Sequence, residues 1–219
     1  MQNKDYHSYI FDCDGVILDS NKIKTEAFRE VLKDESYEDI ESFIKYHKSN
    51  QGINRYEKFK YFFEQIKNIN NYDKKYNDLL NQFSSICFKK VCDSAYTKGI
   101  INYLEQLKSN KLNTFVISGS DEKELIEVFR KKKILGFFNS VYGSPRNKNE
   151  ITEMLFEKRA INSNSIYFGD SKYDYEVAYK IGCKFVFISG YSDWQEGKDF
   201  CKKNNIVRVE NFLNINEKI

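Results

Sequence analysis

The sequence predicts an α/β fold, a parallel sheet layered by helices, with a block of helices inserted after the first strand. Three observations indicate this fold. Short apolar or β-branched runs alternate with amphipathic helical patterns from about residue 94 onward. Between residues 21 and 93, apolar side chains recur at helical spacing and no convincing strand is found. Three of the apolar runs lead directly into polar turns that contain glycine or serine, as strand ends commonly do.

The first predicted strand, Tyr9 to Phe11, leads into an acidic turn that contains Asp12, Asp14 and Gly15. Charged side chains at the carboxyl end of a parallel strand lie in the crevice where open α/β sheets bind ligands. Two like charges this close reduce stability unless a cation or a proton lies between them. The turn therefore indicates a ligand or metal site, with a solvated acidic turn as the alternative.

The segment after Ser20 is predicted to be a helical insertion that covers this crevice. Successive amphipathic helices with polar, asparagine-rich connections continue to about Asp93. The apolar positions at helical spacing include Ile23, Ala27, Phe28, Val31, Phe43, Ile44, Phe59, Phe62, Phe63, Leu79 and Phe83. We predict a core domain formed by residues 1–20 and 94–219, and a cap domain formed by residues 21–93.

The second half of the chain supplies the remaining strands and their helices. The predicted strands are residues 114–117, 140–142, 165–168, 184–188 and 206–209. The predicted helices are residues 99–107, 125–129, 151–157 and 173–181. This alternation is the pattern of a parallel sheet whose crossovers are helical.

Ser118, Gly119 and Ser120 directly follow the second predicted strand, just before a helix that starts at about Asp121. A hydroxyl group and free backbone N–H groups at the start of a helix can form an anion site. Ser-Gly after a strand is also a common turn, which is the alternative interpretation.

Asp170 and Ser171 follow a later strand, with Asp174 in the first turn of the next predicted helix. These acids could cap that helix and complement its dipole, or they could hold a divalent cation against the first acidic pair. Lys148 follows a turn at residues 143–145, and a lone loop lysine is usually only solvated.

The composition narrows the possible partners. A net charge of +3 with 31% charged residues is balanced, which argues against nucleic acid and membrane partners. The chain start lacks the apolar core of a signal peptide, and no run approaches the roughly 18 apolar residues of a membrane span.

Five scattered cysteines indicate neither a disulfide framework nor a zinc site. We expect a cytoplasmic monomer that acts on a small molecule.

In order along the chain, IFDCDGV, VISGS, Lys148 and YFGDSKYD resemble the four motifs of the haloacid-dehalogenase-like superfamily of phosphotransferases. The helical insertion is similar to the cap of the branch that contains phosphoglycolate phosphatases and β-phosphoglucomutases. The resemblance implies a Rossmann-like core sheet with an all-helical cap. Two departures are Asn149, where proline is usual, and Ile181, where a small residue is common.

The resemblance also implies a mechanism. Asp12 would be the nucleophile that forms an aspartyl phosphate, and Asp14 would be the acid and then the base. Mg²⁺ would be the cofactor, held by Asp12, Asp170 and the backbone carbonyl of Asp14.

Further side chains would support this chemistry. Ser118, the N–H of Gly119 and Lys148 would neutralise the transferring phosphoryl group. Asp174 would orient metal-bound water or Lys148. The remaining residues of the motifs, expected to contact substrate or to support these groups, are Gly15, Ser120 and Ser171.

The acid at position 14 argues against a dehalogenase or a phosphonatase, since those relatives lack it. A phosphatase is favoured over a β-phosphoglucomutase-like mutase because Lys24 stands where those mutases carry a gating histidine. Lys24 is also a candidate for contact with the substrate. A non-catalytic binding module is the third alternative.

The substrate stays open among phosphoglycolate, a hexose phosphate, a nucleotide and a phosphorylated intermediate of polysaccharide assembly. Arg55, near the start of a cap helix at about Asn54, is expected to bind the part of the substrate that does not react. The alternative is an exposed, solvated arginine.

Overall fold

The computed structural model describes residues 6–219, which form a six-stranded sheet with helices on both faces and a helical insertion. The strands are β1 (Tyr9–Phe11), β2 (Thr114–Asp121), β3 (Ser140–Ser144), β4 (Ile166–Gly169), β5 (Lys184–Ile188) and β6 (Val207–Val209). Every neighbouring pair is parallel, and the strand order is β3-β2-β1-β4-β5-β6. The prediction of an α/β fold with a parallel sheet is confirmed.

The central strand of this sheet is β1, with β2 on one side and β4 on the other. The chain builds outward from β1 to β3 and then returns to the opposite side of β1 with β4. Phe11 lies beside Val116 in β2 and beside Phe168 in β4. The residues that follow these three positions therefore meet at one edge of the sheet, where the strand order reverses.

Between β1 and β2 the chain forms the helical insertion. Its helices are α1 (Asn21–Val31), α2 (Tyr37–Ser49), α3 (Arg55–Tyr61), which continues into a π-helical segment (Phe62–Ile66), and α4 (Asp73–Cys92). They share a phenylalanine-rich core that is separate from the hydrophobic clusters of the sheet. Phe28 packs against Phe43, Phe59 and Phe83 with ring centroids 4.1–5.4 Å apart. This separate core supports our proposal that residues 21–93 form a cap domain.

Two hydrophobic layers cover the faces of the sheet, because side chains alternate along each strand. Tyr9 and Phe11 pack in one layer and Ile10 packs in the other. The helices on these faces are α5 (Ile100–Ser109), α6 (Glu122–Lys131), α7 (Lys148–Glu157), α8 (Lys172–Lys180) and α9 (Gly197–Lys203). Helices α5 and α6 cover the face of Tyr9, and the other three cover the face of Ile10.

The structure corrects three details of the sequence prediction. Lys148 does not lie in a loop but is the first residue of α7, because Asn147 and Glu150 form a capping box that starts the helix there. Strand β2 continues past its predicted end at Ile117 to Asp121, with an irregular register between them. The short, polar helix α9 was not predicted.

Among residues 6–219, no helix combines the length and the apolar character that a membrane span requires.

Candidate active site

Asp12 directly follows β1 and is buried at the edge where the strands end. Its backbone N–H donates to the carbonyl of Phe168 over 2.9 Å, which extends the pairing of β1 with β4 by one residue. The Lys148 ammonium lies 2.8 Å from Oδ1 of Asp12. Burial raises the pKa of Asp12 to about 7; the ion pair with Lys148 opposes this rise, and the Asp174 carboxylate adds to it. A further positive charge beside Asp12 would therefore be bound favourably.

Lys148 lies between two buried carboxylates. Its place in the first turn of α7 brings Nζ to 2.8 Å from Asp12 and 2.6 Å from Asp174, and 1% of its side chain is exposed. Burial disfavours the charged form, but Asp12 and Asp174 outweigh burial and raise the pKa of Lys148 well above its usual value. The side chain is a fixed positive charge inside the site, so the interpretation as a solvated loop lysine is wrong.

Asp174 holds this arrangement in place. Its Oδ1 accepts hydrogen bonds from Lys148 at 2.6 Å and from the Tyr167 hydroxyl at 3.2 Å. Its Oδ2 accepts from the Ser171 hydroxyl at 2.6 Å and from the backbone N–H groups of Ser171 at 3.2 Å and Asp170 at 3.3 Å. Ser171 in turn caps α8 and Asp174 completes the capping box, so the helix-capping interpretation is confirmed for Asp174, whereas the cap does not use the Asp170 carboxylate. Both oxygens of Asp174 are therefore already used.

The carboxylates of Asp12, Asp170 and Asp174 form a buried acidic cluster in which one oxygen from each lies within 4.8 Å of the others. Burial and the charges of Asp12 and Asp174 raise the pKa of Asp170 well above its usual range. A negatively charged donor set made only of oxygen fits a hard divalent cation such as Mg²⁺. Because Asp174 is saturated with donors, Asp12 and Asp170 are the side chains best placed to hold the ion. The third predicted ligand, the carbonyl of Asp14, stays a prediction.

The Asp14 carboxylate has different surroundings from that of Asp12. It forms an ion pair with Lys24 and accepts hydrogen bonds from the hydroxyls of Ser20 and, at 3.1 Å, Ser120. Burial raises the pKa of Asp14, but the Lys24 charge and these hydrogen bonds outweigh it, and the net shift is downward. Asp14 is therefore held as a carboxylate, and Lys24 is tied to it rather than free in the cavity.

The residues after β1 and within β2 bring backbone close to these acids. Gly15 has a φ of +73°, and a Cβ there would collide with the Asp170 carboxylate. The fully buried Ser118 accepts a 3.1 Å hydrogen bond from the N–H of Ser120, and its hydroxyl lies 3.2 Å from that of Ser120. The hydroxyl of Ser118 therefore serves the turn, and its contact with a phosphoryl group stays a prediction.

A cavity that opens to solvent lies between this edge of the sheet and the insertion, and it encloses about 540 Å³ of space not filled by protein atoms, part of it open solvent. The residues of the sheet side that line it are Asp12, Asp14, Gly119, Ser120 and Asp170. The residues of the insertion that line it include Lys24, Phe28, His47, Arg55 and Lys58. The structure thus places most of the predicted site residues around one cavity.

Arg55 lines the cavity but is engaged with the core. Its Nη1 and Nη2 lie 3.0 and 2.8 Å from the two carboxylate oxygens of Glu124 in α6, and Nη1 also donates to the Ser84 hydroxyl at 2.7 Å. The guanidinium carbon lies 4.9 Å from the centre of the Phe83 ring. The helix start near Asn54 is confirmed, since Asn54 caps α3. Arg55 is buried, so the alternative of an exposed, solvated arginine is wrong.

Asn21, His47 and Lys58 belong to the site but were not among the sequence candidates. Asn21 donates to Oδ2 of Asp170 over 2.6 Å. A signal for the other two was present in the apolar pattern of the insertion: His47 stands four residues after Phe43, and Lys58 directly before Phe59, each beside buried apolar positions. Polar residues inside a buried stripe are worth noting, because they must find partners there.

Comparisons with known proteins find similar chains that match almost the whole length of this one. The phosphorylated carbohydrates phosphatase of Thermotoga maritima is 23% identical over 222 residues, which cover 94% of this chain and 96% of that protein. The β-phosphoglucomutase of Clostridium difficile superposes with a TM-score of 0.71 at 19% identity, over 94% of this chain and 92% of that one. CbbY of Rhodobacter sphaeroides, solved in complex with phosphate, superposes with a TM-score of 0.73 at 14% identity, over 96% of each chain.

At these identities the solved structures show that the fold is shared. The model of one family, described as haloacid dehalogenase-like hydrolase, matches residues 9–188, which include both acidic turns, the serine-glycine turn and Lys148. Since this match spans most of the chain, the chain belongs to the haloacid dehalogenase-like hydrolase family.

Proposed function

We propose that the chain is a magnesium-dependent phosphatase that hydrolyses a small phosphate monoester through an aspartyl phosphate on Asp12. The observation that carries the proposal is that the two carboxylates of the first acidic turn have different partners. Asp12 contacts Lys148 within the acidic cluster, whereas Asp14 is held by Lys24 and two serines at the same cavity. Two neighbouring carboxylates in different environments suit a nucleophile and an acid/base.

In the first half-reaction, an oxygen of Asp12 attacks phosphorus while the bond from phosphorus to the ester oxygen breaks. Asp14 is a carboxylate in the free site; the anionic phosphoryl group that binds beside it would raise its pKa so that it takes up a proton, which it then gives to the departing oxygen, and this oxygen leaves as an alcohol. Lys148 keeps its positive charge beside Asp12 and, with the backbone N–H of Gly119 and the hydroxyl of Ser118, would offset the charge of the phosphoryl oxygens.

In the second half-reaction, water attacks the same phosphorus and the bond to Asp12 breaks, which releases inorganic phosphate. The Asp14 carboxylate takes the proton of the attacking water, and the ion pair with Lys24 favours this ionised form. Mg²⁺ held by Asp12 and Asp170 would supply electrostatic stabilisation of the phosphoryl group.

The similarity to a phosphatase named for phosphorylated carbohydrates supports a sugar phosphate, or a phosphorylated intermediate of polysaccharide synthesis, as the substrate. The alternative is a mutase that returns the phosphoryl group to a sugar hydroxyl. Lys24 supports the phosphatase. It forms an ion pair with Asp14, and it stands at the position where the mutases carry a gating histidine. A non-catalytic binding module would need none of these buried ion pairs.

The test is release of inorganic phosphate from a panel of sugar phosphates and p-nitrophenyl phosphate, with Mg²⁺ and after its removal by a chelator. We expect release only with the metal. Asp12→Asn should lower the rate roughly 10³-fold or more, and Asp14→Asn should lower it roughly 10² to 10⁴-fold. Circular dichroism should show that both variants keep the fold. Full activity of Asp12→Asn would exclude the covalent route. Conversion of a sugar phosphate to its isomer without net phosphate release would identify a mutase.

A further inference from the structure

Lys58 places a positive charge on the insertion side of the cavity that no carboxylate neutralises among residues 6–219. Its side chain is 4% exposed and lines the cavity. The other cations of the cavity wall are paired, Lys24 with Asp14 and Arg55 with Glu124. The one partner of the Lys58 ammonium in the described chain is an uncharged ring nitrogen, Nδ1 of His47, at 2.9 Å.

An ordered chain of hydrogen bonds holds this ammonium in place. Lys58 donates to Nδ1 of His47, whose Nε2 lies 3.0 Å from the Thr25 hydroxyl, and Thr25 donates to the carbonyl of Asn21 over 3.1 Å. This series of hydrogen bonds requires that His47 is neutral and carries its proton on Nε2. Burial and the charge of Lys58 lower the pKa of His47 well below its usual value, which agrees with this form.

The geometry leaves donors of Lys58 for a ligand. An ammonium has three N–H donors, and His47 accepts one of them. The Phe28 ring, 5.9 Å from Nζ, offers no oxygen or nitrogen acceptor. In its protonated form Lys58 therefore offers two donors and a positive charge to a molecule in the cavity, at the wall that the insertion forms.

A positive charge that is buried without a counter-ion is unfavourable for the fold alone. Burial lowers the pKa of Lys58 to about 7; the charges of Lys24 and Lys148 act in the same direction, and Asp14 and Asp170 oppose them. An anion bound beside Lys58 would supply the missing counter-charge and accept the free donors.

We propose that Lys58, positioned by His47, binds a second anionic group of the substrate, so that the natural ester carries a carboxylate or a further phosphate besides the phosphoryl group that reacts at Asp12. This inference rests on the proposed phosphatase function. It assigns the role of anion reader to Lys58 rather than to Arg55, because Glu124 already neutralises the guanidinium.

Binding can be tested apart from turnover with phosphonates, whose carbon–phosphorus bond this site is not expected to cleave. Butylphosphonate, 4-phosphonobutanoate and butane-1,4-bisphosphonate share a phosphonate group and differ in the tail, which is apolar, carboxylate or phosphonate. Their dissociation constants would be measured by calorimetry with Mg²⁺ on the wild type, on Lys58→Met and on Lys60→Met. Lys60 is an exposed lysine of the same helix and is the matched control.

We expect the wild type to bind at least one ligand with an anionic tail more tightly than butylphosphonate. Lys58→Met should reduce that preference roughly 10- to 100-fold, and Lys60→Met should keep it. The dissociation constants of 4-phosphonobutanoate and butane-1,4-bisphosphonate show whether the site prefers a carboxylate or a phosphonate as the second anion. Equal affinities of the wild type for all three ligands, or the same preference in Lys58→Met, would overturn the inference. Absence of phosphate release from any ester would instead overturn the proposed function and leave this comparison of affinities valid.

Discussion

Lys58 shows how a single side chain can reduce the stability of a fold and still be retained in it. Its charge is buried beside an uncharged histidine, and its pKa falls from 10.5 to about 7 because burial disfavours the ammonium. The unfolded chain therefore binds a proton more tightly at this residue than the folded protein does. By thermodynamic linkage, the free energy of unfolding therefore decreases as the pH falls from about 10.5 toward about 7. Below that range the decrease is complete.

Replacing Lys58 with methionine should therefore stabilise the ligand-free protein near neutral pH. The gain should be at most about 5 kcal/mol below pH 7 and should shrink as the pH rises toward the unfolded pKa of 10.5. Urea unfolding of the wild type and Lys58→Met between pH 6 and 9.5 measures it, with Lys60→Met as the control that should show no gain. A Lys58→Met protein that is less stable than the wild type at pH 6 would contradict the prediction.

At the scale of elements, α3 links the insertion to the core. Arg55 in its first turn forms the two-pronged ion pair with Glu124 of α6, and Tyr56 donates to Asp121 over 2.8 Å. Helix α3 starts at Arg55 because Asn54 accepts the N–H of Glu57 at 2.9 Å, so the cap of the helix sets the position of the guanidinium. This contact gives Arg55 a role in holding the insertion against the core.

A double-mutant cycle distinguishes this role from the predicted role in substrate binding. Arg55→Met and Glu124→Gln should each lower the free energy of unfolding by roughly 1–3 kcal/mol, since the first leaves the partly exposed Glu124 and the second the buried Arg55 without its partner. The double variant should be more stable than the sum of the single effects implies, because both variants remove one interaction.

Thermal and urea unfolding of the four proteins would measure the coupling, and kinetics with a plain and an anionic ester would separate the two roles. Additive effects on unfolding, together with a loss confined to the anionic ester, would restore the original prediction that Arg55 reads the substrate.

At the scale of the whole molecule, the acidic cluster lies at the ends of two central strands, β1 and β4, and links metal binding to the stability of the fold. Asp12 follows β1 and Asp170 follows β4, and their neighbouring carboxylates are both buried. Such repulsion destabilises the folded chain until a cation binds, and a ligand that binds only the folded state raises its stability.

Mg²⁺ at about one hundred times its dissociation constant should therefore add about 2.7 kcal/mol of stability, or roughly 5–10 °C in Tm for a chain of this size. Differential scanning calorimetry with and without the ion measures the shift. Asp170→Asn should remove most of it, whereas Asp199→Asn, an exposed acid on α9, should keep it. A shift of equal size in both variants would place the ion elsewhere.

The sequence predicts the parts of the site that follow a strand directly, because the end of a strand has a fixed place in a parallel sheet. Asp12 and Asp170 were found in this way, and the register of β1 with β4 brings their strand ends to one edge. Ser118 was found by the same reasoning, although β2 extends past it to Asp121. Lys148 was found through its family resemblance, but its helix and its burial were not. They depend on the local capping box of Asn147 and on the approach of α7 to α8.

His47 and Lys58 were not identified because their partners lie on other helices of the insertion. Periodicity assigns α2 and α3 to an apolar core, and only the packing of the helices shows that these two polar side chains meet. The order of the strands was also beyond the periodic pattern, which indicates parallel pairing but not which strands are neighbours.

The approach of Gly119 to Gly52 has a consequence for the range of substrates. A Cβ at Gly119 would collide with the carbonyl oxygen of Gly52, so backbone meets backbone where the insertion touches the core. A side chain can change rotamer to make room for a larger substrate, whereas two backbone segments in contact fix the distance between the insertion and the core. The height of the cavity is therefore set by the path of the main chain, and evolution toward bulkier esters would need insertions or deletions near Gly52 rather than point substitutions in the wall.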